Sequence, residues 1–307
     1  MRLLVVGGSS FIGRNLLEEL SEGGHQFSEV MATYLNDTSF PTWAKSLGIK
    51  TIQYDVISDK KSWNKYDVCV YLAGNSNHSL AIRDPLKVLS MNAVGLLNFL
   101  RTFHGHIVYM SSAAVYYGLK GYVDVHTKLN PVFTYGISKL TCEHYIKAAY
   151  HSHNLTSYVI FRLFYAYGKY DKPRRLIPQV VKALLLDQRS GFSVAGTGQS
   201  FMDPLFAGYV AKILTITASK TDVIDTFDLC GGNNRIITQV VKDIGRALGK
   251  DITVSIDGTT EAFPLEFYSN PERTIKVLGI SSPPPFEEGV KTYARWAIRE
   301  FGDNNAS

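Results

Sequence analysis

Cysteine is scarce in this 307-residue sequence, and long hydrophobic runs are missing from it. The three cysteines, Cys69, Cys142 and Cys230, are far apart and form no CxxC pair, which argues against a disulfide framework and against a zinc site. We therefore expect no metal and a reducing, cytoplasmic compartment. No apolar run approaches membrane-spanning length, and Leu3–Val6 is too short for the apolar part of a signal peptide, so no membrane partner is expected.

Charge is also low and mixed. Only 19% of the residues are charged, and no long run has one sign, which is unlike a disordered protein that binds through a charged tail. The net charge of +5 is mildly basic, but lysine and arginine are dispersed apart from Lys172, Arg174 and Arg175, so we expect no nucleic-acid partner. The hydrophobic fraction of 45% is sufficient for a large packed core.

Apolar runs of strand length alternate with segments of helical spacing through the first half of the chain. The strands are predicted at residues 3–6, 30–34, 51–54, 68–72, 106–110 and 157–163. This alternation predicts right-handed crossovers and a doubly wound parallel sheet of the Rossmann type in the α/β class, which binds ligands at the carboxyl ends of its strands. After Gly168 the rhythm changes, so we predict one domain over 1–168 and a smaller lobe over 169–307, some of whose segments return to the main domain.

A glycine-containing turn, Gly7-Gly8-Ser9-Ser10-Phe11-Ile12-Gly13, directly follows the first predicted strand. Backbone N–H groups and the positive helix end at such a turn can receive a pyrophosphate. An ordinary glycine turn can have the same spacing, but the position after the first strand favours a dinucleotide loop. At the end of the second strand stand Thr33 and Tyr34, neither the acid that favours NAD nor the base that favours NADP, so the choice of cofactor stays open.

Tyr135 and Lys139 lie four residues apart on a predicted helix and therefore share a face. A phenol with its usual pKa of about 10 is a poor base at neutral pH, and a nearby ammonium lowers that pKa. Ser112 follows a predicted strand and can place a hydroxyl beside the same substrate oxygen. The three residues predict proton transfer at an alcohol or carbonyl while a nicotinamide carries the hydride.

These residues resemble the extended short-chain dehydrogenase/reductase family, the NAD-dependent epimerases and dehydratases that usually act on nucleotide sugars. The resemblance covers nearly the whole chain. It rests on the glycine turn and on further motifs at 54–56, 71–74, 91–93, 111–116, 131–143, 162–168, 276–279 and 286–289. It implies that 1–168 binds NAD or NADP and that the smaller lobe mostly binds substrate. The expected catalytic residues are Ser112, Tyr135 and Lys139.

The predicted cofactor contacts lie at the carboxyl ends of the predicted strands and on the helices that follow them: Gly7, Ser10, Phe11, Ile12, Gly13, Thr33, Tyr34, Asp55, Val56, Leu72, Ala73, Gly74, Asn92, Tyr135, Lys139 and Phe164. The predicted substrate contacts are spread over both halves of the chain: Asn75, His78, Ser112, Tyr116, Tyr165, Arg174, Arg175 and Met202. For His78 a structural role is the competing interpretation, and for Tyr116 it is a place in the core.

Departures from the family pattern narrow the predicted reaction. Ala113 and Ala114 stand where 4,6-dehydratases have an Asp-Glu pair, so a dehydratase is disfavoured. Tyr165 and Met202 replace an asparagine and an arginine that usually contact the nucleotide sugar. We predict an NAD(P)-dependent nucleotide-sugar epimerase or 4-ketoreductase that forms a homodimer. The alternatives are a reductase of a non-nucleotide alcohol or ketone and a non-catalytic dinucleotide-binding regulatory subunit.

Overall fold

The computed structural model of the protein describes residues 1–259 and 264–302. The strands in chain order are β1 Arg2–Val6, β2 Glu29–Tyr34, β3 Lys50–Gln53, β4 Val68–Tyr71, β5 His106–Ser112, β6 Gly121–Tyr122, β7 Ser157–Leu163, β8 Tyr165–Tyr167, β9 Gly191–Val194, β10 Phe201–Met202, β11 Pro204–Phe206, β12 Asp225–Leu229, β13 Arg235–Ile236, β14 Thr253–Ile256 and β15 Phe267–Tyr268. The helices are α1 Phe11–Glu22, α2 Phe40–Ser46, α3 His78–Arg83, α4 Pro85–Leu89, α5 Gly95–Leu100, α6 Thr134–His151, α7 Leu176–Leu185, α8 Ala207–Ala218, α9 Ile237–Leu248, α10 Glu272–Leu278 and α11 Phe286–Gly302. A π-helical turn, Ser90–Val94, joins α4 to α5, and a 3₁₀ turn, Ala113–Tyr116, follows β5.

The chain divides into two compact units. The first contains Met1–Gly118, Val125–Leu163 and Val210–Leu229. The second contains Leu119–Asp124, Phe164–Tyr209 and the described residues from Cys230 onward. The short segment 119–124 belongs to the second unit because its strand β6 pairs with β15. The sequence did not predict this excursion of the chain from the first unit into the second.

A seven-stranded sheet in the order β12-β7-β5-β4-β1-β2-β3 is the centre of the first unit, and its neighbouring strands are all parallel. The predicted doubly wound α/β sheet is thus confirmed. The strand order reverses between β1 and β4, because β2 and β3 extend the sheet on one side of β1 and β4 extends it on the other. Open sheets of this kind bind their ligands beyond the carboxyl ends of the strands at such a reversal.

The inner strands of this sheet are buried on both faces, which explains their continuous apolar sequences. Every residue of β4 is buried, as are Leu3–Val6 of β1. One apolar cluster joins the sheet to α5 and α6 through side chains that include Tyr71, Phe99 and Cys142. Burial of an aromatic or aliphatic side chain of this size contributes about 1.5–3 kcal/mol to the free energy of unfolding. These contacts therefore hold α6 against the sheet.

The second unit has its own core, formed by α7, α9 and α11 around residues such as Val181, Val240 and Val290. Its strands form short pairs: β8 with β11, β9 with β14 and β6 with β15 are parallel, while β10 with β13 is antiparallel. In neither unit does a helix among the described residues have the length and apolar character needed to cross a membrane.

Candidate active site

The glycine turn after β1 is packed so closely that side chains cannot enter it. Gly7 has φ +88°, and a Cβ at this position would lie 2.8 Å from the backbone nitrogen of Ala73, after β4. A Cβ on Gly13 would lie 2.5 Å from the carbonyl oxygens of both Gly7 and Gly8. The turn therefore brings bare backbone to the N-terminus of α1, which is the arrangement that a pyrophosphate requires.

Two hydroxyl side chains hold this turn in shape. Ser10, which takes the place of the family's middle glycine, caps α1 by accepting a hydrogen bond from Gly13 N at 3.1 Å. The Thr33 hydroxyl accepts from Gly7 N at 2.9 Å, and the Thr33 carbonyl accepts from Gly8 N at 2.8 Å. Thr33 is thus a support of the loop, buried beneath it, and the predicted contact between its side chain and the cofactor is corrected accordingly.

An ion pair lies just beyond the end of β2. Arg14 Nη2, in the first turn of α1, lies 2.8 Å from Asp37 Oδ2. The Arg14 guanidinium also lies over the ring of Trp43, 4.5 Å from its centroid. Tyr34 packs against Phe40 nearby, with ring centroids 5.8 Å apart.

The carboxylate of Asp55, the predicted adenine contact, accepts hydrogen bonds from residues of its own loop. Its oxygens accept from Ile57 N at 2.9 Å and from the Ser58 hydroxyl at 3.0 Å. The neighbouring Val56 packs against Gly95, where a Cβ would lie 2.5 Å from Val56 Cγ2. The carboxylate of Asp55 therefore shapes the loop after β3, and its role toward adenine remains a prediction.

The loop after β4 is held by Asn92, which the π-helical turn directs inward. Asn92 Oδ1 accepts from Asn75 N at 2.6 Å, and Asn92 Nδ2 donates to the Ser138 hydroxyl of α6 at 2.9 Å. Ser138 donates in turn to the carbonyl of Tyr135 at 2.8 Å. Gly74, with φ +142°, has no room for a side chain because Asn92 Oδ1 would lie 2.7 Å from its Cβ. A continuous chain of hydrogen bonds thus joins the cofactor-side loop to the start of α6.

Ser112 ends β5 and begins the 3₁₀ turn, where its hydroxyl accepts from Ala114 N at 3.1 Å. The first turn of α6 packs on this 3₁₀ turn so tightly that a Cβ on Gly136 would collide with the carbonyl oxygen of Ala114. Tyr135 precedes that glycine and is buried. The structure therefore brings the turn that carries Ser112 and the helix end that carries Tyr135 into direct contact.

Lys139 lies one turn farther along α6 and is also buried. Its Nζ donates to the carbonyl of Met110 at 2.6 Å and to the hydroxyl of Tyr109 at 2.9 Å. Burial lowers the pKa of Lys139 from its ordinary value to about 8. A lysine with a pKa this close to neutral can gain or lose its proton when the charge of a neighbouring group changes. This property suits a residue that takes part in proton transfer.

His78 is the first residue of α3, and its ring packs on the catalytic candidate Tyr135 with centroids 4.8 Å apart. The ring of Tyr117 meets the same imidazole edge to face at 5.7 Å. Burial lowers the pKa of His78, which keeps the imidazole neutral at pH 7. The structure thus places His78 beside Tyr135, and a contact of His78 with substrate stays a prediction.

Tyr116 does not line a pocket, because it is fully buried in a polar network of the first unit. Its hydroxyl donates to Asp228 Oδ1 at 2.8 Å and accepts from Arg162 Nη1 at 2.8 Å. Arg162 is also paired with Glu143, which accepts from the hydroxyl of Ser111 at 2.6 Å. The predicted substrate role of Tyr116 is therefore wrong, and sequence reasoning missed the network although Glu143 and Arg162 stood within the recognised motifs.

In the second unit Tyr165 and Arg175 form a stacked pair, with the guanidinium 4.1 Å from the ring centroid. Arg175 Nη1 also lies 2.8 Å from Asp171 Oδ1 and donates to the carbonyl of Ala166 at 2.9 Å. The charge of Arg175 is thus balanced within its own unit, and its predicted role as a phosphate clamp stays a prediction. Arg174 is exposed, so its predicted role stays open.

Two further predicted contacts also belong to the second unit. Met202 is buried in its core and pairs through β10 with Arg235 of β13, and its predicted contact with substrate stays a prediction. The rings of Phe164 and Phe267 pack edge to face, with centroids 6.1 Å apart. The contact of Phe164 with the cofactor stays a prediction. Adjacent in sequence to Met202, the Asp203 carboxylate accepts three backbone N–H groups, from Gly231, Gly232 and Asn233.

A glycine turn at the strand reversal of a parallel sheet, next to a helix with a buried tyrosine and lysine, defines a dinucleotide-dependent enzyme with a Rossmann fold. The close approach at Gly7 and Gly13 fits a nicotinamide dinucleotide along this edge. The chain belongs to the NAD dependent epimerase/dehydratase family, whose model matches residues 3–230.

Similar proteins include enzymes of more than one reaction type. UDP-glucose 4-epimerase 2 of Arabidopsis thaliana is 23% identical over 346 residues, which cover 99% of this chain and 97% of that protein. A dTDP-glucose 4,6-dehydratase of Xanthomonas campestris pv. campestris is 25% identical over 263 residues, or 78% of this chain and 74% of the relative. The structure of UDP-glucuronic acid 4-epimerase from Bacillus cereus, in complex with UDP-glucuronic acid and NAD, superposes with a TM-score of 0.84 at 18% identity, covering 98% of this chain and 100% of that one.

Proposed function

We propose that the protein is a nucleotide-sugar epimerase or 4-ketoreductase in which Tyr135 moves the proton, Lys139 supports the charge of the phenol and Ser112 holds the reacting oxygen. The observation that carries this proposal is the packing of the Ser112 turn on the first turn of α6, beside a buried lysine. These groups lie at the carboxyl end of β5, near the edge where the dinucleotide loop stands.

The chemistry follows from what each group can do. A bound nicotinamide supplies the acceptor or donor of hydride. Tyr135 takes the proton from a sugar hydroxyl during oxidation and returns it to the carbonyl oxygen during reduction. The ammonium of Lys139 favours the phenolate form of Tyr135, and the hydroxyl of Ser112 donates a hydrogen bond to the same substrate oxygen.

The residues after Ser112 support epimerisation or reduction over dehydration. Ala113 and Ala114 are both buried and carry no proton-transferring group. Loss of water from a sugar needs an acid and a base besides the tyrosine, because a C–H proton leaves and a hydroxyl departs. The 3₁₀ turn supplies neither.

A product analysis tests the proposal. The purified protein is incubated with UDP-glucose, UDP-N-acetylglucosamine or UDP-glucuronic acid and a catalytic amount of NAD, and the nucleotide sugars are separated by chromatography. Appearance of the 4-epimer without accumulation of NADH identifies an epimerase. In a second incubation, with a UDP-4-keto sugar and a stoichiometric amount of NADH or NADPH, consumption of the reduced cofactor identifies a ketoreductase. A third incubation supplies alcohols that carry no nucleotide together with a stoichiometric amount of NAD or NADP. A 4-keto-6-deoxy product, or turnover only of alcohols that carry no nucleotide, would overturn the proposal.

We also propose that the protein forms a homodimer through α3, α4 and α6. These helices carry exposed apolar side chains: Leu86 is 72% exposed and Ile82 59%, and Ile137 is exposed on α6. Sedimentation velocity should show a dimer for the wild type and a monomer for Leu86→Glu. A monomeric wild type at micromolar concentration would contradict this assignment.

A further inference from the structure

Tyr109 is a buried residue of β5 that contacts the lysine of the candidate active site. It stands three residues before Ser112 in the same strand. Its hydroxyl oxygen accepts a hydrogen bond from Lys139 Nζ at 2.9 Å, and this Nζ lies 4.5 Å from the centroid of the Tyr109 ring. The carbonyl of Met110, the next residue, accepts from the same ammonium at 2.6 Å. Two neighbouring residues of β5 thus hold the end of a side chain that belongs to α6.

These two contacts use most of the hydrogen-bonding capacity of Lys139. An ammonium has three N–H donors and no acceptor. Tyr109 and the Met110 carbonyl take two of the donors, so one N–H remains for a further partner. Tyr135 lies one helical turn before Lys139 on the same face of α6. The contacts with β5 therefore fix the ammonium near Tyr135 and offset the conformational entropy that a long side chain loses when it is held in place.

Tyr109 acts on Lys139 as a neutral hydroxyl. Burial, followed by the contact with Cys142, raises the pKa of Tyr109 well above its ordinary value, so the hydroxyl keeps its proton while Lys139 titrates. A hydrogen bond from a charged donor is stronger than one from a neutral amine, so the Tyr109 oxygen favours the ammonium form of Lys139. Burial acts in the opposite direction and lowers the pKa of Lys139 to about 8. Tyr109 thus opposes the effect of burial.

The other titratable and charged groups around Lys139 make no hydrogen bond to its Nζ within residues 1–259 and 264–302. Charges on Cys142 and Glu143 would raise the Lys139 pKa, but burial raises the pKa of the Cys142 thiol, and Glu143 is paired with Arg162. The full set of these groups lies on β4, α3, α6 and β7: Tyr71, His78, Tyr135, Cys142, Glu143 and Arg162. Tyr109 is therefore the side chain that holds the ammonium directly.

We propose that Tyr109 is a positioning residue of the active site, whose neutral hydroxyl holds the Lys139 ammonium against β5 and keeps it charged, so that its remaining N–H supports Tyr135. Without this hydroxyl, Lys139 releases its proton at a lower pH. The link to Tyr135 rests on the proposed function, whereas the protonation of Lys139 can be measured without any substrate.

An NMR titration of the protein labelled with ¹³Cε-lysine gives the test, because the chemical shift of each ε-carbon reports the protonation of its amine. Lys139→Met identifies the resonance of Lys139. The wild-type resonance should titrate at about pH 8. In Tyr109→Phe, which keeps the ring in the core, it should titrate about one pH unit lower, as expected when a charged group loses a hydrogen bond.

Tyr71→Phe is the matched control. It removes the same hydroxyl from a buried tyrosine of β4, whose ring centroid lies 6.1 Å from that of Tyr109. The Tyr71 hydroxyl has no hydrogen-bond partner in the described part of the chain, so the Lys139 pKa should stay unchanged. An unchanged pKa in Tyr109→Phe, or an equal shift in both variants, would overturn the proposal. If the product analysis overturns the proposed function, the expected shift would still support the hold of Tyr109 on Lys139.

Discussion

Arg162 and Glu143 form an ion pair inside the first unit, with Nη2 and Oε2 2.8 Å apart and side chains only 3% and 1% exposed. Arg162 belongs to β7 and Glu143 to α6, and Glu143 also accepts from Ser111 at the end of β5. The pair therefore ties the helix that carries Tyr135 and Lys139 to β7, and the hydrogen bond from Ser111 ties the same helix to β5, which ends at Ser112.

Removing one member of this pair should lower the free energy of unfolding of the protein. Glu143→Ala leaves the Arg162 guanidinium buried without its carboxylate, which we expect to cost about 3–5 kcal/mol in the free energy of unfolding. Urea denaturation followed by circular dichroism measures the loss. Glu29→Ala breaks the pair between the half-buried Glu29 and the exposed Lys50 and should cost at most about 1 kcal/mol. Equal effects of the two substitutions would contradict this prediction.

Tyr135→Phe should abolish turnover while dinucleotide binding persists. The substitution removes one hydroxyl from a buried residue, and loss of an acid/base group commonly lowers the rate by about 10²–10⁴. Tyr145→Phe removes the same atom from an exposed position on the same helix and should leave the rate unchanged. Steady-state rates and calorimetric NAD binding check both variants. Wild-type turnover in Tyr135→Phe would end the assignment of Tyr135 as acid/base.

Lys139→Met should give a more stable but inactive protein. Burial lowers the Lys139 pKa from 10.5 to about 8, so below pH 8 the folded protein bears the cost of a buried ammonium, and this cost disappears as the pH rises from 8 to 10.5. The variant should therefore gain up to about 3 kcal/mol near pH 7, less the two hydrogen bonds that it loses.

Denaturation at pH 7 and at pH 10.5 measures this effect. The stability difference between Lys139→Met and the wild type should be larger at pH 7. A wild type that is more stable than the variant by the same amount at both values would show that the ammonium imposes no such cost. Retained turnover in Lys139→Met would contradict the catalytic role.

His106 should make the protein sensitive to mild acid. Burial lowers the pKa of His106 to about 4, and its Nδ1 lies 2.7 Å from the Ser157 hydroxyl. Since the unfolded chain takes up a proton near pH 6.5 and the folded chain does not, stability is full above pH 6.5 and falls by about 3 kcal/mol toward pH 4.

His106→Gln removes this titration and should flatten the stability curve between pH 6.5 and 4, as measured by thermal or urea unfolding. His104→Gln, two residues earlier and exposed, is the control and should keep the wild-type slope. Parallel curves for wild type and His106→Gln would contradict the prediction.

The sequence predicted the parallel sheet and the glycine turn because both depend on local patterns, an apolar run and the glycines that end it. It also placed Tyr135 and Lys139 on one helix face, since helical spacing is a local property. The sequence did not predict the hydrogen bonds of the Tyr116 hydroxyl, because its partners Arg162 and Asp228 are 46 and 112 residues away in the chain.

The same limit applies to the charges near the cofactor and in the second unit. Asp37 meets Arg14 only when the chain has folded β2 beside β1, so its position past the strand carries no visible signal. Arg175 resembles a free phosphate ligand in sequence, but its neighbour four residues earlier, Asp171, neutralises it. Whether a charged side chain is available to a ligand depends on tertiary partners that a motif does not reveal.

The π-helical turn at Ser90–Val94 makes the position of Asn92 depend on the number of residues in this segment as well as on their identity. A π-turn holds one residue more than the α-turn it replaces, so deletion of one residue there would restore regular α-helical winding and change the direction of the side chains within the turn. The amide of Asn92 would then point away from Ser138 and from the loop at Asn75. Protein engineers who shorten, extend or graft the segment 85–100 should therefore preserve its residue count first.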